Sequence, residues 1–188
     1  MSPLTELIGS AKAYGWGSFA AVGAFQSIAS VTVDASTASS ITFSSIPNTF
    51  THLQIRATYK FGGNGGTPRF KVGNGGVDTG QNYAHSQFQG SGTSVAASQY
   101  TNGDFIYLGL GYERTDRQAM IMDILDYANT NKFKTFRFQL GYAGASGVFS
   151  MNYGQWRSTS AIDTIQLSVQ VNNFSQYSHV ALYGIKGA

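Results

Sequence analysis

The chain has 188 residues, of which only 11% are charged, whereas a typical globular domain carries about 25% charged residues. This length suffices for one domain with a sizeable core, and the low charge favours burial of some surface in an assembly. The net charge of +3 comes from few and scattered cations, which argues against nucleic-acid binding, and the absence of cysteine excludes disulfides and thiolate metal sites.

The first 25 residues differ in character from the rest of the chain. Glycines at positions 15, 17 and 23 interrupt any helix, and the aromatic residues around them follow no strand period. We therefore predict an irregular N-terminal arm over residues 1–25 that contacts a partner protein, because apolar side chains outside regular structure need a covering surface. The predicted contact residues are Leu4, Leu7, Ile8, Tyr14, Trp16, Phe19 and Phe25. We expect neither a secretory signal in this segment nor a membrane span elsewhere, because no apolar run is long enough.

Alternation of apolar and polar residues dominates from Gln26 to the end of the chain. The run from Phe133 to Tyr142 places an aromatic or leucine residue on every second position from Phe136, and the run THLQIRATYK also alternates. Successive side chains of a strand point to opposite faces, so each run predicts a strand with one buried face. Eight to ten such runs are separated by turns. We therefore expect residues 26–188 to form an all-β, antiparallel two-sheet sandwich.

The charged residues provide no clear pattern for catalysis. Lys132, Lys134 and Arg137 are the nearest approach to a basic cluster, and we interpret them as a solvated strand end. Asp123 and Asp126 lie three positions apart, which places them on opposite faces of a strand and disfavours an acid–base pair. We expect one of these carboxylates to face inward and accept hydrogen bonds from the backbone, and the other to lie in a turn.

The sequence also provides little support for a metal or cofactor. Asp78 and Asn82 could supply oxygen ligands to calcium, but we favour a turn, which Asp stabilises through its own side-chain hydrogen bonds. The three histidines do not stand at the spacing of a zinc site, and no G-x-S-x-G segment presents a serine nucleophile. We therefore predict no catalytic residue, no metal site and no cofactor.

Three aromatic residues are candidates for contact with a glycan or with another protein. Trp156, in the segment GQWRST, could stack on a sugar ring, but we favour a core or interface role, because large aromatic residues dominate both. The segments around Tyr83 and Tyr100 could present further aromatic rings from loops. The full set of candidate glycan or interface aromatics is Tyr83, Tyr100 and Trp156.

Several phrases of the sequence resemble small structural proteins of tailed bacteriophages. The segment SSIPNTFTHLQIR is similar to a phrase S-I-P-x-T-Y/F-T-H/D-L of those proteins. Four further segments follow in the same order as in the family: RFKVGNGGVDTGQNY, MDILDYANTNKFKTF, GQWRSTSAIDTIQL and ALYGIKG. The resemblance covers residues 26–188 and departs at Val72 and at residues 77–78, where the family has an asparagine-led turn.

The resemblance implies a jelly-roll-like domain on a virion that is assembled in the host bacterial cytoplasm. The role we expect is that of a non-enzymatic capsid decoration or cement protein, which binds the major capsid protein or other virion proteins and stabilises the shell. A closed homo-oligomer, for which we expect a homotrimer, would multiply each contact. The alternative roles are a tail-fibre or baseplate module that binds a host surface glycan and, as a weaker hypothesis, a carbohydrate-active enzyme. We expect neither nucleic acid nor membrane as a partner.

Overall fold

The computed structural model describes residues 24–34, 37–62, 68–108, 116–142 and 147–187. The arm residues Leu4 to Phe19 that were predicted to contact a partner lie outside the described residues. The described ranges contain more strands than the eight to ten expected. They are β1 (Phe25–Thr32), β2 (Ser40–Phe43), β3 (His52–Tyr59), β4 (Pro68–Gly73), β5 (Tyr83–Ser91), β6 (Ser94–Gly103), β7 (Ile106–Tyr107), β8 (Gln118–Leu125), β9 (Lys134–Tyr142), β10 (Val148–Trp156), β11 (Thr164–Val169) and β12 (His179–Ile185).

The strands form two sheets, and every pair of neighbouring strands is antiparallel. The larger sheet has eight strands in the order β1-β12-β3-β8-β9-β10-β5-β6, and the smaller sheet has four in the order β2-β11-β4-β7. The inward faces of both sheets contribute to one hydrophobic core. The predicted all-β, antiparallel two-sheet sandwich is therefore confirmed.

The strand pairs are nested along the chain. The strand β1 pairs with β12, β2 with β11, β3 with β8 and β4 with β7. Successive pairs alternate between the two sheets, so the chain is wound like one long hairpin, which is a jelly-roll-like topology. Two inserted hairpins, β5–β6 and β9–β10, extend the larger sheet by four strands, which we call the wing.

The core is built from the alternating strands that the sequence indicates. In β3 the residues Leu53, Ile55 and Tyr59 are buried, and in β9 Phe136 and Phe138 are buried, while the residues between them face outward. These inward side chains belong to the same apolar cluster as residues of β2 and β11 in the smaller sheet. Burial of each large apolar side chain contributes roughly 1.5–3 kcal/mol, so these two strands are a principal source of the stability of the sandwich.

Lys134 is a buried residue, and it corrects the interpretation of the basic cluster as a solvated strand end. Its side chain is fully buried, and its ammonium group donates hydrogen bonds to three backbone carbonyls, those of Asn129, Lys132 and Thr159. It occupies the first inward position of β9 and joins the turn before this strand to the segment after β10. The three basic residues therefore form no common patch, because Lys132 pairs with Asp126 and Arg137 pairs with Asp123.

Candidate functional site

The outer face of the eight-stranded sheet, which points away from the core, carries three rows of side chains across the strands. Residues directly opposite each other on paired strands share a face, so the pairing register defines each row. The small-residue row consists of His179, Thr58, Ala119, Gly141 and Phe149. The middle row consists of Ala181, Arg56, Ile121, Gln139, Met151 and Phe88. The polar row consists of Tyr183, Gln54, Asp123, Arg137, Tyr153 and Ser86.

The small-residue row forms the floor of a groove. Thr58, Ala119 and Gly141 are neighbours on β3, β8 and β9, and their short side chains leave a trough between larger residues. The groove has a volume of about 600 Å³, with Phe149 and Tyr183 among its lining residues. A second depression, beside Arg117 and Tyr177, shares the same floor. The outer face is therefore concave enough to receive side chains of a partner.

The central part of β10, from Phe149 to Tyr153, places its apolar residues toward solvent and its polar residues toward the interior, while Val148 and Trp156 at the ends of the strand are buried. Ser150 and Asn152 are 0% and 5% exposed, whereas Phe149, Met151 and Tyr153 are 51%, 49% and 48% exposed. The buried pair is joined by a hydrogen bond from Asn152 Nδ2 to Ser150 Oγ of 3.0 Å. This arrangement is the reverse of what hydrophobic burial favours in an isolated domain. Departures of this kind are expected where a surface serves a function rather than the fold.

The exposed residues of β10 belong to a larger apolar surface on the wing. Phe88 of β5 lies opposite Met151 and is itself 52% exposed. We define the apolar patch as Phe88, Phe149, Met151 and Tyr153, and it is continuous with the groove because Phe149 lines both. Contiguous apolar surfaces of this kind mark interaction sites in soluble proteins. This patch was not predicted from the sequence, although the segment VFSMNYGQW alternates visibly.

A hydrogen-bonded network borders the patch along the polar row. The carboxylate of Asp123 accepts hydrogen bonds from Gln54 Nε2 and from Arg137 NH2, both at 2.8 Å. Gln54 in turn accepts a hydrogen bond from Arg56 Nε at 2.9 Å. The expectation of an inward carboxylate bound to backbone donors is therefore wrong, because Asp123 faces outward and binds side chains. Asp126 lies in the turn after β8, and this agrees with the expectation that one of the two aspartates lies in a turn.

Phe25 connects the N-terminal arm to the outer face. It is the first residue of β1, so the sandwich begins one residue earlier than predicted. Its ring stacks on Tyr183 with a centroid distance of 4.7 Å, and the Arg56 guanidinium lies 5.0 Å from the ring centre. The start of β1 therefore lies beside the groove, because Tyr183 lines the groove as well.

Tyr83 and Trp156 are interior residues. The Tyr83 hydroxyl donates to the Val72 carbonyl at 2.8 Å, and Trp156 Nε1 donates to the Asp78 carboxylate at 2.7 Å. Their burial contradicts a glycan-stacking role for both, because neither ring presents a free face. Burial also raises the pKa of the Tyr83 phenol above its ordinary value.

Tyr100 differs from the other two candidate aromatics because it is 48% exposed. It stacks on the imidazole of His85 with a centroid distance of 5.6 Å. His85 is buried, and burial lowers its pKa, so the ring that supports Tyr100 is neutral near pH 7. Among the three candidates, Tyr100 is the residue that a ligand in solution could contact.

The loop that contains Asp78 is organised by hydrogen bonds to its carboxylate. Oδ1 accepts from the Gly80 backbone at 2.7 Å, and Oδ2 accepts from Asn82 Nδ2 at 2.8 Å and from Trp156 Nε1. Burial raises the pKa of Asp78, but the hydrogen bonds from Trp156, Asn82 and Gly80 outweigh burial and lower the pKa below its ordinary value. Asn82 thus offers a donor to Asp78, as expected for two residues that form a turn.

Over the described ranges, no group of three or more His, Cys, Asp or Glu side chains is placed to hold a metal ion. The same ranges contain no helix of the length and apolarity needed to cross a bilayer. No protein-family model matches the chain, and a search of curated proteins found no significant relative. The fold and the outer face define the molecule as an all-β sandwich with an exposed apolar sheet surface.

Proposed function

We propose that this chain is a non-enzymatic structural protein of a tailed bacteriophage virion, and that it acts as a capsid decoration or cement protein. The observation that carries the proposal is the exposure of apolar residues on β10, where Phe149, Met151 and Tyr153 lie on the outer face. The phage setting comes from the five phrases that resemble structural proteins of tailed phages.

The apolar patch supports attachment to a protein surface. Covering the exposed half of one large apolar side chain contributes roughly 1 kcal/mol, so four such residues supply a few kcal/mol for each copy. A contact of this size is weak alone, but linked copies can brace neighbouring subunits of a shell much more strongly. The proposed partners are the major capsid protein or other virion proteins, and the proposed location is the virion.

A homo-oligomer suits the same role. Only 11% of the residues are charged, so long-range repulsion between copies is weak. A homotrimer, the closed form expected from the sequence, would present three apolar patches to the particle. Its existence stays a prediction.

A tail-fibre or baseplate module that binds a host glycan is the second candidate function. The exposed ring of Tyr100 favours it, because an aromatic face that is half open to solvent can stack on a sugar. Under this alternative, Tyr100→Ala should abolish adsorption to host cells and leave the particle itself intact. A cement protein gives the opposite pattern, in which adsorption persists and particles burst at a lower temperature when the protein is absent.

Deleting residues 1–23 should weaken attachment to particles without unfolding the sandwich. This truncation retains Phe25, which stacks on Tyr183, and leaves all strands of the sandwich intact. The arm residues from Leu4 to Phe19 supply the aromatic anchors that typically dominate binding energy. The measurements are circular dichroism of the truncated protein and its co-sedimentation with virions that lack the protein. Loss of the β signal or undiminished co-sedimentation would refute this prediction.

A further inference from the structure

The strand β6 is a long edge strand that has neither charge nor proline to protect it against pairing, and its one irregularity lies at its end, between Tyr100 and Gly103. It is the last strand of the eight-stranded sheet, and nine of its ten residues are exposed. Natural edge strands are normally shielded by charged residues, proline or bulges. The whole β5–β6 hairpin, from Tyr83 to Gly103, contains no Lys, Arg, Asp, Glu or Pro.

The register of this hairpin shows which backbone groups face the open edge. Ser91 and Ser94 flank a two-residue turn in which Gly92 has a φ of 56°, as in a type II′ hairpin, so this closing pair is hydrogen-bonded. Hydrogen-bonded and non-hydrogen-bonded pairs then alternate along the ladder. The N–H and C=O groups of Val95, Ala97 and Gln99 therefore point away from β5, toward the edge.

We propose that β6 pairs with β6 of a second copy of this chain in an antiparallel arrangement, with a two-fold axis at Ala97. Ala97 then faces the same residue of the partner, and Val95 faces Gln99 of the partner subunit. Each of these is a hydrogen-bonded pair, so the symmetric arrangement uses every outward backbone group of the three residues. The two large sheets become one continuous sheet.

The composition of the hairpin fits a second copy better than an unrelated strand. At the two-fold axis Ala97 faces its own counterpart and the residues around it lie close to theirs, so a charge at or beside the axis would lie close to a like charge. The absence of charge from Tyr83 to Gly103 removes that repulsion. Phe88 lies opposite Ala97 on the outer face, so the pairing also brings the apolar patches of the two copies toward each other.

Both edge strands of the sheet carry one irregularity in their ladder. In β1 it lies between Ser27 and Ala29, whereas the shift between β5 and β6 lies at Tyr83 and His85, opposite the last residues of β6. The regular stretch that remains is therefore longer on β6, from Ser94 to Tyr100, than on β1. The pairing at β6 therefore gives a closed dimer. It competes with the homotrimer proposed above, and it does not depend on what the dimer attaches to.

A charge-swap experiment tests the axis. The wild-type chain should be a dimer at micromolar concentration in size-exclusion chromatography with light scattering. Ala97→Lys and Ala97→Glu should each be monomeric, with a dimer dissociation constant raised at least tenfold, because like charges meet at the axis. The two variants mixed in equal amounts should recover a dimer. The fold should be retained in both, since Ala97 is exposed and contributes nothing to the core.

A cysteine variant provides an independent test that does not depend on charge. The chain has no cysteine, so Ala97→Cys should give a disulfide-linked dimer under mild oxidation, while Ser160→Cys, also exposed, should remain monomeric on a non-reducing gel. A monomeric or trimeric wild type, a dimer that persists in Ala97→Lys, or equal cross-linking of both cysteine variants would overturn the proposal. Attachment to particles can succeed or fail independently of these results.

Discussion

Replacing Lys134 by methionine should destabilise the sandwich by about 1.5–3 kcal/mol, a substantial part of the 5–15 kcal/mol that typically separates folded from unfolded domains. The buried ammonium donates to the carbonyls of Asn129, Lys132 and Thr159. Methionine has a similar length but no donor, so three backbone carbonyls would lose a charged donor. The residues that carry these carbonyls are exposed, so water replaces part of what the ammonium provides. Hydrogen bonds to a charged group contribute about 1.5–3 kcal/mol.

The matched control is Lys132→Met, two positions earlier. The Lys132 side chain is 54% exposed and forms its ion pair with Asp126 at the surface. Exposed ion pairs contribute only about 0–1 kcal/mol, so this variant should behave nearly as the wild type. Urea denaturation of the three proteins measures both effects. Equal stability of the two variants would show that the interior bonds of Lys134 contribute nothing beyond an ordinary surface lysine.

Aspartate at positions 149 and 151 should abolish attachment to particles while the fold is kept. Phe149 and Met151 are each about half exposed on the outer face, so the double substitution removes apolar contact without opening the core. Two desolvated charges at an interface cost several kcal/mol, which corresponds to a loss in affinity of at least about a hundredfold. The measurement is co-sedimentation of Phe149→Asp/Met151→Asp protein with virions that lack the wild-type chain.

Val171→Asp serves as the control for this second prediction. Val171 is 52% exposed, close to the values for Phe149 and Met151, but it lies in the loop between β11 and β12. Its substitution introduces one comparable charge away from the outer face, so attachment should persist. Equal loss of attachment in both variants would indicate a general effect of charge, and attachment retained by the double variant would exclude the outer face as the contact surface.

The sequence was sufficient to predict the strands that have one buried face and one solvent-exposed face. In β3 and β9 the alternation of apolar and polar residues follows the burial directly, because the core supplies the only driving force on those residues. The short connections implied antiparallel pairing, because a tight turn can join antiparallel strands whereas parallel strands need a long crossover. These features yielded the sandwich, but not the order of its strands, which depends on contacts distant in sequence.

The strand β6 and the inward face of β10 could not be predicted, because neither follows the rule that the apolar residues of a strand alternate with polar ones and are buried. The strand β6 is exposed on both faces, so its sequence SVAASQYTNG has no apolar alternation to reveal it. The strand β10 alternates clearly, but its polar residues Ser150 and Asn152 are the buried ones. Alternation alone indicates that two faces differ, and the register with β9 decides which face is inside.

The candidate site was predicted only in part. Phe25 was assigned to the N-terminal arm as a partner contact, but it begins β1, and its stacking on Tyr183 depends on a pairing between opposite ends of the chain. Trp156 could be a core residue or a ligand platform by sequence alone. The structure shows Trp156 as a core residue that donates a hydrogen bond to Asp78. The two residues are far apart in the chain, so no local pattern in the sequence indicates this bond.

The copy number of this protein in purified virions tests the central proposal most directly. Quantitative mass spectrometry, calibrated against the major capsid protein, would give the number of chains in each particle. A decoration or cement protein repeats over the symmetric shell, so we predict on the order of hundreds of copies. A handful of copies would contradict the cement function and select the tail-fibre or baseplate alternative, and absence from the particle would contradict a virion role altogether.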